Sequence, residues 1–66
     1  MKKTELIVVT NDNMKTVMLI AYDNGVQVTN TKRWNKRHMI IEVVGDIISM
    51  FRFKREAKDL YLKAYA

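Results

Sequence analysis

Short apolar runs broken by small polar clusters mark the first half of the chain. Glu5–Thr10 carries Leu6-Ile7-Val8-Val9, and Lys15–Tyr22 carries an unbroken run from Val17 to Tyr22. Between them Asn11-Asp12-Asn13 reads as a turn, because Asn and Asp side chains bond readily to nearby backbone. Asn24-Gly25 follows the second run, and Asn-Gly between apolar segments favours a two-residue hairpin, since both positions tolerate positive φ. Such a hairpin would pair Asp23 with Val26, Ala21 with Val28 and Leu19 with Asn30. The pattern therefore predicts three antiparallel strands over roughly residues 4–30, in meander order. The middle strand would be apolar on both faces, with Val17, Leu19 and Ala21 on one side and Met18, Ile20 and Tyr22 on the other. A helix can cover only one of those faces, so the pattern also predicts a homodimer.

The second half opens with a fork. Met39–Val44 is short, β-branched and followed by Gly45-Asp46, which suits a fourth strand with Asp46 capping the helix after it. Trp34, His38, Ile41, Val44, Ile48 and Phe51 also fall at helical spacing, which would make 32–51 a helix with Gly45 costing about 1 kcal/mol inside it. The strand is the favoured alternative. Beyond it, Ile47, Met50, Phe53, Ala57, Leu60, Tyr61 and Ala64 form one apolar stripe at helical spacing, with no proline to interrupt it. Ile48, Phe51 and Leu62 make a narrower second patch. The predicted fold is α+β: an antiparallel three- or four-stranded meander and a C-terminal amphipathic helix, ββββα, or βββαα on the alternative reading.

Composition narrows the class. Sixty-six residues suffice for one small domain, 1–66, and 48% hydrophobic content marks a globular chain rather than a disordered one. The absence of cysteine removes disulfides and thiolate metal sites. Leu6-Ile7-Val8-Val9 is too short for the core of a signal sequence, and no apolar run reaches membrane-spanning length. The expectation is a cytoplasmic protein with no membrane association.

Charge changes the picture most. Through residue 30 three lysines balance Glu5, Asp12 and Asp23. From residue 31 onward nine Lys and Arg stand against Glu42, Asp46, Glu56 and Asp59, which places the whole net charge of +5 there. Such asymmetry draws polyanions. Its centre is Lys32-Arg33-Trp34-Asn35-Lys36-Arg37-His38, and no acidic residue lies between Asp23 and Glu42.

No catalytic constellation is visible. His38 and Ser49 are the sole His and Ser, and two glycines cannot build a phosphate loop. Neither an enzyme activity nor a cofactor is expected. The cluster points instead to RNA or another single-stranded nucleic acid. Lys32, Lys36, Arg33 and Arg37 would neutralise phosphates, the two arginines in bidentate fashion. Trp34 would stack on an unpaired base, worth about 1–3 kcal/mol, or else anchor the core. His38 adds a donor when protonated. On the helix, Lys54, Arg55 and Lys58 would extend the surface. Arg52–Glu56, Arg55–Asp59 and Asp59–Lys63 would form i,i+4 pairs, leaving Lys54 and Lys58 unpaired. The competing expectation is a protein-binding inhibitor or accessory factor of phage or plasmid type, for example one blocking a toxin nuclease, in contact through Ile48, Phe51 and Leu62.

Overall fold

The computed structural model describes residues 1–65 and runs β-α-β-β-α-β: β1 Lys2–Thr10, α1 Asn11–Asp23, β2 Gln27–Arg33, β3 His38–Asp46, α2 Ile47–Glu56 and β4 Tyr61–Tyr65. The four strands form one sheet in the order β2-β3-β1-β4, and every neighbouring pair is antiparallel. β1 and β2 therefore run parallel with β3 slotted between them, and β3 and β4 flank β1 in the same way. This is the split β-α-β, or ferredoxin-like, arrangement. Four antiparallel strands in an α+β chain agree with the sequence. The meander order, with its single C-terminal helix, does not.

The first departure is α1. Lys15–Tyr22, expected as the middle strand, belongs to a 13-residue helix that starts where the Thr10 side chain accepts the Asn13 N–H at 3.3 Å. Val17 and Ala21 are buried, Met14 and Ile20 pack beside them, and Leu19 and Tyr22 point outward. A continuous apolar run over six residues is compatible with either period, and here the inner helical stripe at 14, 17 and 21 prevails. Asn24-Gly25 is accordingly the end of a helix and not a hairpin turn, so the pairs Asp23–Val26, Ala21–Val28 and Leu19–Asn30 do not exist. Gly25 adopts φ 74°, Val26 N donates to Ala21 O at 2.8 Å, and Gly25 N donates to Tyr22 O at 3.1 Å. That is a Schellman closure, with Ala21 and Val26 supplying its buried apolar contact. The same left-handed glycine serves a hairpin or a helix C-terminus.

The second departure is the chain end. Asp46 caps α2 as expected, its Oδ1 accepting the Ser49 N–H at 2.8 Å, and β3 spans the favoured strand rather than the alternative helix over 32–51. α2 stops at Glu56, however, and the expected stripe divides. Met50, Phe53 and Ala57 enter the core, while Tyr61 and Ala64 reach it from β4. No Gly or Pro ends α2; its end comes from tertiary pairing, because Tyr61–Tyr65 hydrogen-bonds along Leu6–Val9 and gives β1 a second neighbour. Asp59 and Lys63 consequently lie outside the helix. The anticipated pairs of Asp59 with Arg55 and Lys63 are absent, as is Arg52–Glu56; the Glu56 carboxylate instead accepts Asn24 Nδ2 at 2.6 Å.

Both helices pack on the sheet face that bears Ile7, Val9, Ile41 and Val43, all fully buried. Gly45 permits the close approach there, since a Cβ on it would stand 3.1 Å from Val26 Cγ2. Neither α1 nor α2 covers the opposite face. Residues directly opposite in register share a face. One row of the open face therefore runs Lys32, Ile40, Val8, Lys63 across the four strands, and the next runs Asn30, Glu42, Leu6, Tyr65.

Candidate nucleic-acid interface

The basic cluster lies at one end of the sheet. Lys32 and Arg33 close β2, Trp34 to Arg37 form the connection, and His38 opens β3. This is the β2–β3 connection, not the link between a third and fourth meander strand. Asn35 organises it. Its Oδ1 accepts the backbone N–H groups of Arg37 and His38, each at 2.9 Å, and lies 3.0 Å from His38 Nδ1. Two backbone donors identify that atom as the oxygen, so His38 Nδ1 carries the proton in this contact. Trp34 N and Asn35 N both donate to His38 O, at 3.0 and 3.2 Å. The tip is also tied to the start of α1: Asn11 N donates to Arg37 O at 2.8 Å, and Asn11 Nδ2 donates to Lys36 O at 3.1 Å. The backbone is thus fixed by two asparagines while the charged side chains stay in solvent.

Lys32, Arg33, Lys36 and Arg37 are all exposed, and His38 is half-buried. Among the described residues none of these cations has a carboxylate within ion-pair distance. Trp34 is 50% exposed, which places it at the surface edge and not in the core. It borders a shallow groove of about 390 Å³ on the open sheet face, shared with Lys32, Arg33, Ile40 and Leu6.

Lys54, Arg55 and Lys58 are elsewhere. They border a second groove of about 440 Å³ beside β1 and the start of β4, which has no residue in common with the first. Lys54, expected to be unpaired, holds Glu5 Oε1 at 2.9 Å, and Lys3 Nζ stands 3.8 Å from the other carboxylate oxygen. Glu5 is 3% exposed and is the buried charged residue of the core, so the Lys54 ammonium serves as its counter-ion. The Arg55 guanidinium lies 5.6 Å from the centre of the Phe51 ring, a cation–π contact. Lys58 is exposed with no ion pair among the described residues. The two basic groups border separate grooves.

A C-terminal helix would not bring Lys63 and Tyr65 to the open face, but β4 places Lys63 in the row of Lys32 and Tyr65 in the row of Leu6. Leu62, grouped with Ile48 and Phe51, sits instead at the register shift of β4, where it is 63% exposed. Exposed Ile47, Ile48 and Phe51 remain together on α2.

Comparison with known proteins yields fold but no family. No protein-family profile matches the chain, and no curated protein resembles it in sequence. Among solved structures, phospho-2-dehydro-3-deoxyheptonate aldolase (DAHP synthase) from Thermotoga maritima superposes with a TM-score of 0.68 at 14% identity. The match covers 98% of this chain and 20% of that one, so the chain spans one fifth of that enzyme's length. At this identity the likeness concerns the chain trace alone. Among the described residues no helix is long and apolar enough to cross a membrane.

Proposed function

We propose that the protein is a small, non-enzymatic, cytoplasmic binder of RNA or other single-stranded nucleic acid. The observation that carries this reading is the β2–β3 tip. Trp34, half-exposed, stands among four exposed cations that lack acidic partners, on a backbone pinned by Asn11 and Asn35. Lys32, Arg33, Lys36 and Arg37 neutralise phosphates and release counterions. Trp34 offers a π-face to an unpaired base at the mouth of the open sheet face, where Lys63 and Tyr65 extend the surface. The central strands expose Leu6 and, in part, Ile40 and Glu42 there, not the paired aromatics that read bases on four-stranded RNA-binding sheets. Binding is therefore led by phosphate contacts and indifferent to sequence. Of the second basic group, Lys58, which lies past the end of α2 and not on the helix as expected, has the freest ammonium to assist, and Lys54 the least free.

The test is a titration with a mixed-sequence single-stranded RNA over a series of salt concentrations. Affinity falls as salt rises, and Arg33→Ala/Lys36→Ala/Arg37→Ala flattens the slope of log K against log salt by about two to three units. A native protein that binds no RNA at low salt, or an unchanged slope in the triple variant, overturns the reading. One observation favours a second reading, a protein-binding inhibitor or accessory factor. Ile47, Ile48 and Phe51 are each at least 60% exposed on α2 beside Arg52 and Arg55, a surface suited to an acidic protein partner.

A further inference from the structure

α1 exposes more apolar surface than a solvated helix needs. Leu19 is 57% and Tyr22 80% exposed, and together with half-buried Met14 and Met18 they border a broad depression of about 560 Å³. A continuous outward apolar strip of this kind marks a contact surface. The charges around it indicate what covers it. On a helical projection centred on Leu19, the outward face carries Asp12 seven residues before, Lys15 four residues before and Asp23 four residues after, all exposed. Turning a second copy by 180° about an axis through Leu19, perpendicular to the helix, gives an antiparallel α1–α1 contact. It sets Leu19 against Leu19 and brings Lys15 level with Asp23 of the partner subunit, and it does so twice by symmetry. Tyr22 of the partner subunit falls beside the Lys15 stem, where a cation–π contact adds to the ion pair. The face is self-complementary, which an isologous two-fold interface requires. Lys15 and Asp23 stand two helical turns apart, too far to satisfy one another within one chain.

The exposed patch on α2 fails the same operation. Ile47, Ile48 and Phe51 are flanked by Arg52, Lys54 and Arg55, against Glu56 alone within that helix. Pairing two such helices sets cation against cation, a repulsion across the interface.

We infer that the protein forms a two-fold homodimer through the outward face of α1, with Leu19 at the centre and Lys15 paired to Asp23 of the partner subunit. The inference does not depend on nucleic-acid binding, because the residues involved lie outside the basic tip.

Sedimentation equilibrium at low ionic strength, over a wide range of protein concentrations, tests it. The native chain shows a concentration-dependent dimer. Lys15→Asp and Asp23→Lys each raise the dissociation constant about tenfold, because each reversal acts twice. The double variant Lys15→Asp/Asp23→Lys restores the native value within about twofold, and Leu19→Asp leaves a monomer. All three positions are exposed, so the far-UV circular dichroism and melting profile stay native and separate loss of association from loss of fold. A native monomer at every concentration overturns the inference. So does a double variant no tighter than the single ones, or a dimer that survives Leu19→Asp but is lost in Phe51→Asp.

Discussion

The two helices are similar inside and opposite outside. Each starts at a side-chain cap, Thr10 for α1 and Asp46 for α2, and each sends a narrow stripe into one core: Val17 and Ala21 from the first, Met50 and Phe53 from the second. Their outer faces both carry large apolar side chains, yet α1 flanks Leu19 and Tyr22 with charges of both signs, while α2 flanks Phe51 with Arg52 and Arg55 and has Asp46 and Glu56 only at its two ends. Exposed apolar area alone therefore does not identify a partner. The charge around it narrows the choice: mixed signs admit a second copy of the chain, and an excess of cations disfavours one.

The largest expected effect separates inside from outside within α2. Phe53 is fully buried and Phe51 is 64% exposed, two residues apart. Phe53→Ala removes about 3–5 kcal/mol of stability in urea unfolding, whereas Phe51→Ala stays within about 0.5 kcal/mol. Equal losses would show that the helix is rotated from its described orientation.

A middle-sized effect distinguishes the cations of that same region. Lys54→Ala leaves buried Glu5 with only the more distant Lys3, and lowers stability by about 1–3 kcal/mol; partial exposure of Lys54 keeps the loss below that of a fully enclosed pair. Lys58→Ala, at an exposed position without an ion pair, changes unfolding by about 0.5 kcal/mol at most. RNA affinity read on the same two variants sharpens the contrast. The proposal expects Lys58→Ala to weaken binding slightly and Lys54→Ala to leave it nearly unchanged.

The smallest effect concerns the caps. The Ser49 backbone N–H, followed by the Ser49 hydroxyl, holds the Asp46 carboxyl below its ordinary range, with opposition from slight desolvation. A folded-state pKa below the unfolded one gives stability that is fully present above the unfolded value and lost as pH falls through the lower, folded one. Thr10 does not titrate, so α1 lacks this dependence. Asp46→Ala therefore lowers the melting temperature at neutral pH, and its deficit relative to the native chain shrinks on acidification. Thr10→Ala carries a deficit that is independent of pH. A deficit for Asp46→Ala that stays constant from neutral pH to about pH 2 would remove this assignment.

Legibility followed how local each determinant was. β1, β3 and the Asp46 cap could be read because their signals lie within a few residues. α1 was misread because Val17–Tyr22 is apolar at every position, so neither period is visible, and because Gly25 suits a Schellman closure as well as a hairpin. β4 was hidden for a different reason: Leu60, Tyr61, Lys63 and Ala64 fit a helix, and only pairing with β1 some fifty residues earlier makes them a strand. At the candidate site the cations and Trp34 were legible from composition. The Asn11 contact that fixes the tip was not, since it joins residues 25 apart, and neither was the use of Lys54 by Glu5. The expectation of a homodimer rested on a two-faced strand that does not exist; the outward face of α1 supplies a different ground for it.

Because Trp34 is the sole tryptophan, its fluorescence reports directly on the central claim. Titrating a single-stranded RNA into the protein at low salt should quench that emission to saturation, and the same titration at physiological salt should require markedly more RNA. Emission that stays constant at low salt across a full titration, with the protein folded, would contradict the account.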